Sequence, residues 1–177
     1  CPNQNGFVAN IGPCHCGEST CLYGNTNMYK AYCHASQSTC RLYTKCVNTN
    51  GLNSNTGNCV CGSSNCLNMT NGLFCTETLN RCSTIPTCTN SDGSAANTAS
   101  CVCGNSRNEC NAATVGLYCD IGNNDRWSSS PPCSIVDSSS SNSWDCTCGS
   151  ADCNSVTGLY CTRSVSLNKC SPFAPCV

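Results

Sequence analysis

Cys1, Cys46, Cys88 and Cys133 each stand 13 positions before a Cys-x-Cys pair. The pairs are Cys14/Cys16, Cys59/Cys61, Cys101/Cys103 and Cys146/Cys148, and the spacing is the same in all four although the residues between differ. A glycine follows each pair (Gly17, Gly62, Gly104, Gly149), and then a fourth cysteine: Cys21, Cys66, Cys110 and Cys153. A fifth follows an aromatic residue, in Tyr32-Cys33, Phe74-Cys75, Tyr118-Cys119 and Tyr160-Cys161. In the last three the aromatic belongs to Gly-Leu-aromatic-Cys; the first reads Lys30-Ala31-Tyr32-Cys33 instead. A sixth stands at Cys40, Cys82 and Cys170, six positions before Cys46, Cys88 and Cys176. Self-similarity at a near-constant period is the signature of a repeat architecture. The chain reads as four tandem repeats in an elongated array, 1–45, 46–87, 88–132 and 133–177, of which the third lacks one cysteine.

With 24 cysteines in 177 residues, the composition is that of a secreted disulfide scaffold. The cytosol would not keep so many bridges closed, so the expected location is secreted, extracellular or at the cell surface. Leu, Ile, Val and Phe supply only 25 residues, a level that usually signals disorder. The usual partner of disorder, a high net charge, is missing: the formal charge is −1. Cross-links therefore replace much of the core. Cys1 is not a translation start, so the sequence reads as a processed form or part of a longer chain.

No stretch carries a helical stripe, and the segments between cysteines are rich in Asn, Ser, Thr and Gly, which favour turns. The expected fold is small and disulfide-rich, mostly irregular, with short β-strands and hairpins. In an extended segment both sulfurs of Cys-x-Cys lie on one face and reach different partners. That makes the pair the hub of each repeat. The aromatic before the fifth cysteine is expected to pack on a disulfide, giving a miniature core of one ring, one Leu and several sulfurs.

Six cysteines allow 15 pairings, and sequence does not choose among them. If the four middle cysteines pair within every repeat, Cys1, Cys40, Cys46, Cys82, Cys88, Cys133, Cys170 and Cys176 remain. Pairing each sixth cysteine with the next first one gives 40–46, 82–88 and 170–176 and leaves Cys1 and Cys133. Pairing it with the first of its own repeat leaves Cys88 and Cys176. Leftover sulfurs in a secreted chain are candidates for a bond to another chain, against a non-repeating bridge within the chain.

Cys14-His15-Cys16 with Cys21 has zinc-like spacing, but Val60, Val102 and Thr147 replace His15 in the other repeats. No metal or other cofactor is expected. His15 and His34 are the only histidines, and Glu18, Glu77, Asp120 and Asp152 recur at no fixed position, so no catalytic residues are assigned and an enzyme is not expected. Eight scattered basic residues give no nucleic-acid footprint, and no apolar run approaches a membrane-spanning length. Asn68-Met69-Thr70 is an N-glycosylation sequon, with Asn68 as acceptor. The Ser-rich stretches, Ser128, Ser129 and Ser130 before Pro131-Pro132 and Ser138, Ser139, Ser140 and Ser141, have the composition of O-glycosylated segments.

The pattern Cys-x-Cys-Gly…Cys…Gly-Leu-Tyr-Cys…Cys resembles the tandem cysteine-rich repeats of secreted and surface proteins of algae and other single-celled eukaryotes. The Ser-Pro-Pro run resembles the glycosylated Ser-Pro segments of algal wall proteins. Both imply a coat, matrix or appendage component. Four modules of this length also resemble hevein-type chitin-binding lectins in layout alone: the adjacent Cys-Cys pair of that family is absent, and Tyr23, Tyr29, Tyr43, Trp127 and Trp144 form no repeated sugar site. The expected function is an extracellular structural glycoprotein that self-associates head to tail. The alternative is a multivalent carbohydrate-binding or adhesive module.

Overall fold

In the computed structural model the described residues are 1–22, 32–105, 109–110, 116–164 and 168–174. Among the described residues eleven disulfides join short antiparallel strand pairs, and the only helical elements are three 3-10 turns. The chain forms two compact units, Cys1–Pro86 and Thr87–Val177.

One pattern of two hairpins recurs in both units. In the first hairpin the Cys-x-Cys strand pairs with a strand ending at the fourth cysteine: Cys14–Cys16 with Ser19–Cys21, Cys59–Cys61 with Ser64–Cys66, and Cys146–Cys148 with Ala151–Cys153. The third copy is shorter, Cys101–Val102 with Glu109–Cys110. Where the turn has two residues it opens on glycine: Gly17, Gly62 and Gly149 all have φ near +60°. That conformation explains why glycine follows every Cys-x-Cys pair. The second hairpin pairs the aromatic-Cys strand with the strand carrying the sixth cysteine: Tyr32–His34 with Thr39–Arg41, Phe74–Thr76 with Arg81–Ser83, and Tyr160–Arg163 with Asn168–Ser171. Tyr118–Asp120 pairs with Arg126–Ser128 and also with Asp92–Ala96.

The disulfides follow one rule. The first cysteine bonds the first of the Cys-x-Cys pair: Cys1–Cys14, Cys46–Cys59, Cys88–Cys101 and Cys133–Cys146. The second of the pair bonds the fifth: Cys16–Cys33, Cys61–Cys75, Cys103–Cys119 and Cys148–Cys161. The fourth bonds the sixth: Cys21–Cys40, Cys66–Cys82 and Cys153–Cys170. The two members of Cys-x-Cys thus do reach different partners. Both pairings of the sixth cysteine with a first cysteine are overturned, and so is a Cys170–Cys176 bond, because Cys170 is held by Cys153. Cys1, Cys88 and Cys133 are all bridged, and the one free thiol among the described residues is the buried Cys110. Cys176 lies outside the described residues.

Sulfur is the core. Each buried cluster is made of the cysteines of one repeat, joined by Leu73 in the second, Trp127 in the third and Leu159 in the fourth. The aromatic expected in that core is only half-buried at Phe74 and Tyr160 and lies outside the clusters. Its alternation along the strand explains this: the cysteine beside it points to the core, so the ring points away.

A second device was present in the sequence but is recognised only in the structure. Asn10, Asn55, Asn97 and Asn142 each stand nine positions after a first cysteine, and all are buried. The Asn55 side-chain oxygen accepts from the backbone N–H groups of Val47 and Asn48, and its amide donates to the carbonyls of Asn48 and Leu73. Asn97 and Asn142 repeat the pattern, donating to Leu117 and Leu159. Each carboxamide therefore replaces the backbone partners that the irregular 13-residue loop cannot supply itself. The Leu carbonyl it reaches belongs to Gly-Leu-aromatic-Cys. The glycine of that motif is required by a close approach: a Cβ on Gly72 would lie 2.0 Å from the Ser83 carbonyl oxygen, and one on Gly116 2.2 Å from that of Ser128.

Candidate functional site

The feature that recurs with chemical consequence is the joint where one repeat enters the next. Thr44, Lys45 and Cys46 run parallel to the Cys59–Cys61 strand: the Val60 N–H donates to the Thr44 carbonyl at 2.8 Å, and the Cys46 N–H donates to the Val60 carbonyl at 3.0 Å. Pro131, Pro132 and Cys133 repeat this on Thr147, at 2.7 and 3.0 Å. Cys88 donates to the Val102 carbonyl, with Thr87 in the parallel bridge. The middle residue of Cys-x-Cys stands one place from the pair that closes the two-residue turn, and because hydrogen-bonded and non-hydrogen-bonded pairs alternate along an antiparallel ladder, its N–H and C=O face the outer edge. The strand edge is then completed by the incoming segment, and the first disulfide locks it there.

Further polar contacts cross the joint between the first and second repeats and the one between the third and fourth. Gln37 donates to the Gly62 carbonyl, and Asn123 at the equivalent place donates to that of Gly149. Arg126 pairs with Asp152 at 2.9 Å; Lys45 pairs with Glu77 at 3.4 Å. All four ionic groups are partly exposed, so these pairs add specificity more than stability.

The joint between the first two repeats buries His34, at 2% exposure, against Gly6, whose Cβ would lie 2.9 Å from the ring. Neither ring nitrogen has a partner at full hydrogen-bonding geometry. Burial pushes the imidazole pKa below its ordinary value; the backbone of Tyr43 opposes this, and the charges of Arg41 and Lys45 reinforce it. In the second unit, a groove between the third and fourth repeats is lined by Tyr118, Asp120, Arg126, Thr147 and Arg163.

The third repeat departs from the others. Trp127 stands opposite Cys119 in the register where Cys82 stands opposite Cys75. The indole packs against the sulfur cluster, and Cys110 keeps a thiol whose pKa burial pushes up. A buried thiol with a raised pKa is a poor nucleophile. Sulfur triads within 4.8 Å, such as Cys61, Cys66 and Cys75, are sulfurs of neighbouring disulfides rather than thiolate ligands.

Asn68, Met69 and Thr70 lie in an exposed turn, with Met69 94% exposed, so the sequon is open to modification. Ser139, Ser140 and Ser141 are exposed, as is Ser129, while Ser128 and Ser130 are half-buried. Ser138 is different: it is buried, has φ +61°, and its hydroxyl meets that of Thr162. A glycan there has no room, and that expectation is withdrawn.

No protein family, curated protein or solved structure matches this chain. Among the described residues no helix is long and apolar enough to cross a membrane. That and the extensive disulfides are consistent with an extracellular protein.

Proposed function

We propose that the chain is an extracellular structural glycoprotein, a disulfide-stapled unit of a surface coat, matrix or filament that assembles head to tail. The observation that carries this reading is the joint. The same parallel contact, closed by the same disulfide, admits the next repeat three times along the chain. Head-to-tail association therefore needs no new type of contact, and a heterologous contact whose rotation does not close yields a filament. Carbohydrate on Asn68 and on the exposed serines of 139–141 supplies the solubility that a net charge of −1 does not. No catalytic role belongs to this reading.

Electron microscopy of native, unreduced material tests it. Fibres with an axial repeat of one four-repeat chain are expected; particles that stay dispersed at every concentration contradict it. A mass decrease on enzymatic deglycosylation, lost in Asn68→Gln, is expected for the glycoprotein component.

The second reading, a carbohydrate-binding or adhesive module, draws on the groove of Tyr118, Asp120, Arg126 and Arg163. An aromatic ring beside hydrogen-bonding side chains suits a sugar. Binding on a glycan array that is lost in Tyr118→Ala would favour it.

A further inference from the structure

The joint of the first two repeats and that of the last two are built from equivalent residues but filled differently. Glu77 and Arg163 each donate the backbone N–H to the third residue after a first cysteine, Thr49 and Val136, and so hold the same place in the second and fourth repeats. Lys45 and Pro132 match through their parallel bridges to Val60 and Thr147. His34 and Asp120 match through their antiparallel pairing with Asn5 and Asp92. In the first joint the His34 ring fills the space beside Gly6, and Lys45, whose charge faces that ring, is neutralised by Glu77 at 3.4 Å.

In the last joint the same three places carry Asp120, Pro132 and Arg163. Asp120 is shorter than histidine and only half-buried, and proline cannot pair with a guanidinium. The space stays open as the groove of Tyr118, Asp120, Arg126 and Arg163. Arg126 is held by Asp152 at 2.9 Å, and among the described residues no acidic group pairs with Arg163. The groove thus offers two unlike groups side by side: a carboxylate that accepts hydrogen bonds and a guanidinium without a counter-charge.

We propose that this groove binds an acidic sugar residue, one that carries a carboxylate or a sulfate. This rests on the carbohydrate-binding reading and names its ligand class. The Arg163 guanidinium donates to the anionic group, since its planar fork suits two oxygens of one acid. Asp120 accepts from a sugar hydroxyl beside that group, and the sugar lies against Tyr118. An acidic peptide side chain supplies the anion but no hydroxyl for Asp120, and a neutral sugar supplies hydroxyls but leaves Arg163 unmatched. The groove is small and partly open to solvent, so the acidic group and its neighbouring hydroxyl enter while the rest of the glycan stays in water.

Titration calorimetry of the full 177-residue chain, wild type and Arg163→Gln, tests the assignment. The probes are a uronic-acid trisaccharide, its methyl ester, a sulfated trisaccharide, a neutral trisaccharide and an oligoglutamate. The wild type is expected to bind the uronate, the sulfated sugar or both roughly tenfold more tightly than the ester and the neutral sugar, and Arg163→Gln to lose that preference. Whichever acidic probe binds tells carboxylate from sulfate. The preference should shrink as salt is raised, since Arg163 is exposed. Arg163→Glu, which places there the residue of the second repeat, is expected to reject both acidic probes. Equal affinity for the uronate and its ester with no preference for the sulfated sugar, or a preference that survives Arg163→Gln, overturns this assignment and leaves the carbohydrate-binding reading standing. Oligoglutamate bound as tightly as the acidic sugars overturns the saccharide as ligand. Binding of no sugar at all overturns both.

Discussion

The second and third repeats share the 13-residue spacing of the first loop, its buried asparagine and the first two disulfides, and part where the sixth cysteine stands. Cys82 closes the second by bonding Cys66; Trp127 occupies that register in the third and leaves Cys110 as a buried thiol. The two hairpins of the second repeat are therefore joined by two covalent bonds and those of the third by one. What replaces the missing bond is an indole packed on the sulfur cluster. Sulfur and aromatic surface are thus exchangeable in this core, because each fills the space between hairpins. Only sulfur also restricts the unfolded chain.

The largest expected effect comes from opening the second repeat. Cys82→Ser removes its third bridge and leaves Cys66 buried and unpaired, at a cost of about 2–5 kcal/mol. Cys110→Ser, which removes no bond, costs much less. Equal losses in denaturant midpoint would break the comparison.

Next in size is the feature the two repeats share. Asn55→Ala and Asn97→Ala each leave buried backbone groups unpaired and are expected to cost about 2–3 kcal/mol apiece. The two losses should be close, with Asn55→Ala the larger, since Asn55 accepts from the N–H groups of Val47 and Asn48 and Asn97 from that of Asn90 alone. A loss at one site alone would show that the loops are held differently.

The pairings were not legible in the sequence, and the reason is physical. Constant spacing says that Cys1 and Cys14 keep one relation, but not which, because a 13-residue loop can be closed or passed over. The hub role of Cys-x-Cys was legible, since alternation along a strand alone sends both sulfurs to one face. So was the glycine after it. Asn10, Asn55, Asn97 and Asn142 recur as regularly as the cysteines. They stand among many other asparagines, and only burial separates the one that ties the loop from those facing water. The strand register places the missing sixth cysteine at Trp127.

A smaller effect sharpens the comparison by making the third repeat like the second. Trp127→Cys is expected to bond Cys110. A bridge over a loop of about 15 residues stabilises by roughly 3 kcal/mol, offset by the lost indole packing, for a net gain of about 1 kcal/mol. Thiol titration of the denatured protein should find the Cys110 thiol gone.

The smallest effect falls in the first repeat, where a polar ring fills the joint. The His34 pKa is lowered in the folded state from its ordinary 6.5, so the unfolded chain takes up the proton first as pH falls. Stability at this joint is full above pH 6.5 and declines below it until the folded-state pKa is passed. Arg41 and Lys45 face the ring and oppose its charging. His34→Thr, the residue of the second and fourth repeats, should remove this slope from a thermal melt series between neutral and mildly acidic pH. A slope that persists would place the acid sensitivity elsewhere.

The most direct test is a disulfide map of the unreduced protein after alkylation, first folded and then denatured. The structure predicts peptides linking Cys61 to Cys75, Cys66 to Cys82 and Cys103 to Cys119, with Cys110 alkylated only after denaturation. A bridged Cys110, or a bond from Cys40 to Cys46 or from Cys82 to Cys88, would contradict it.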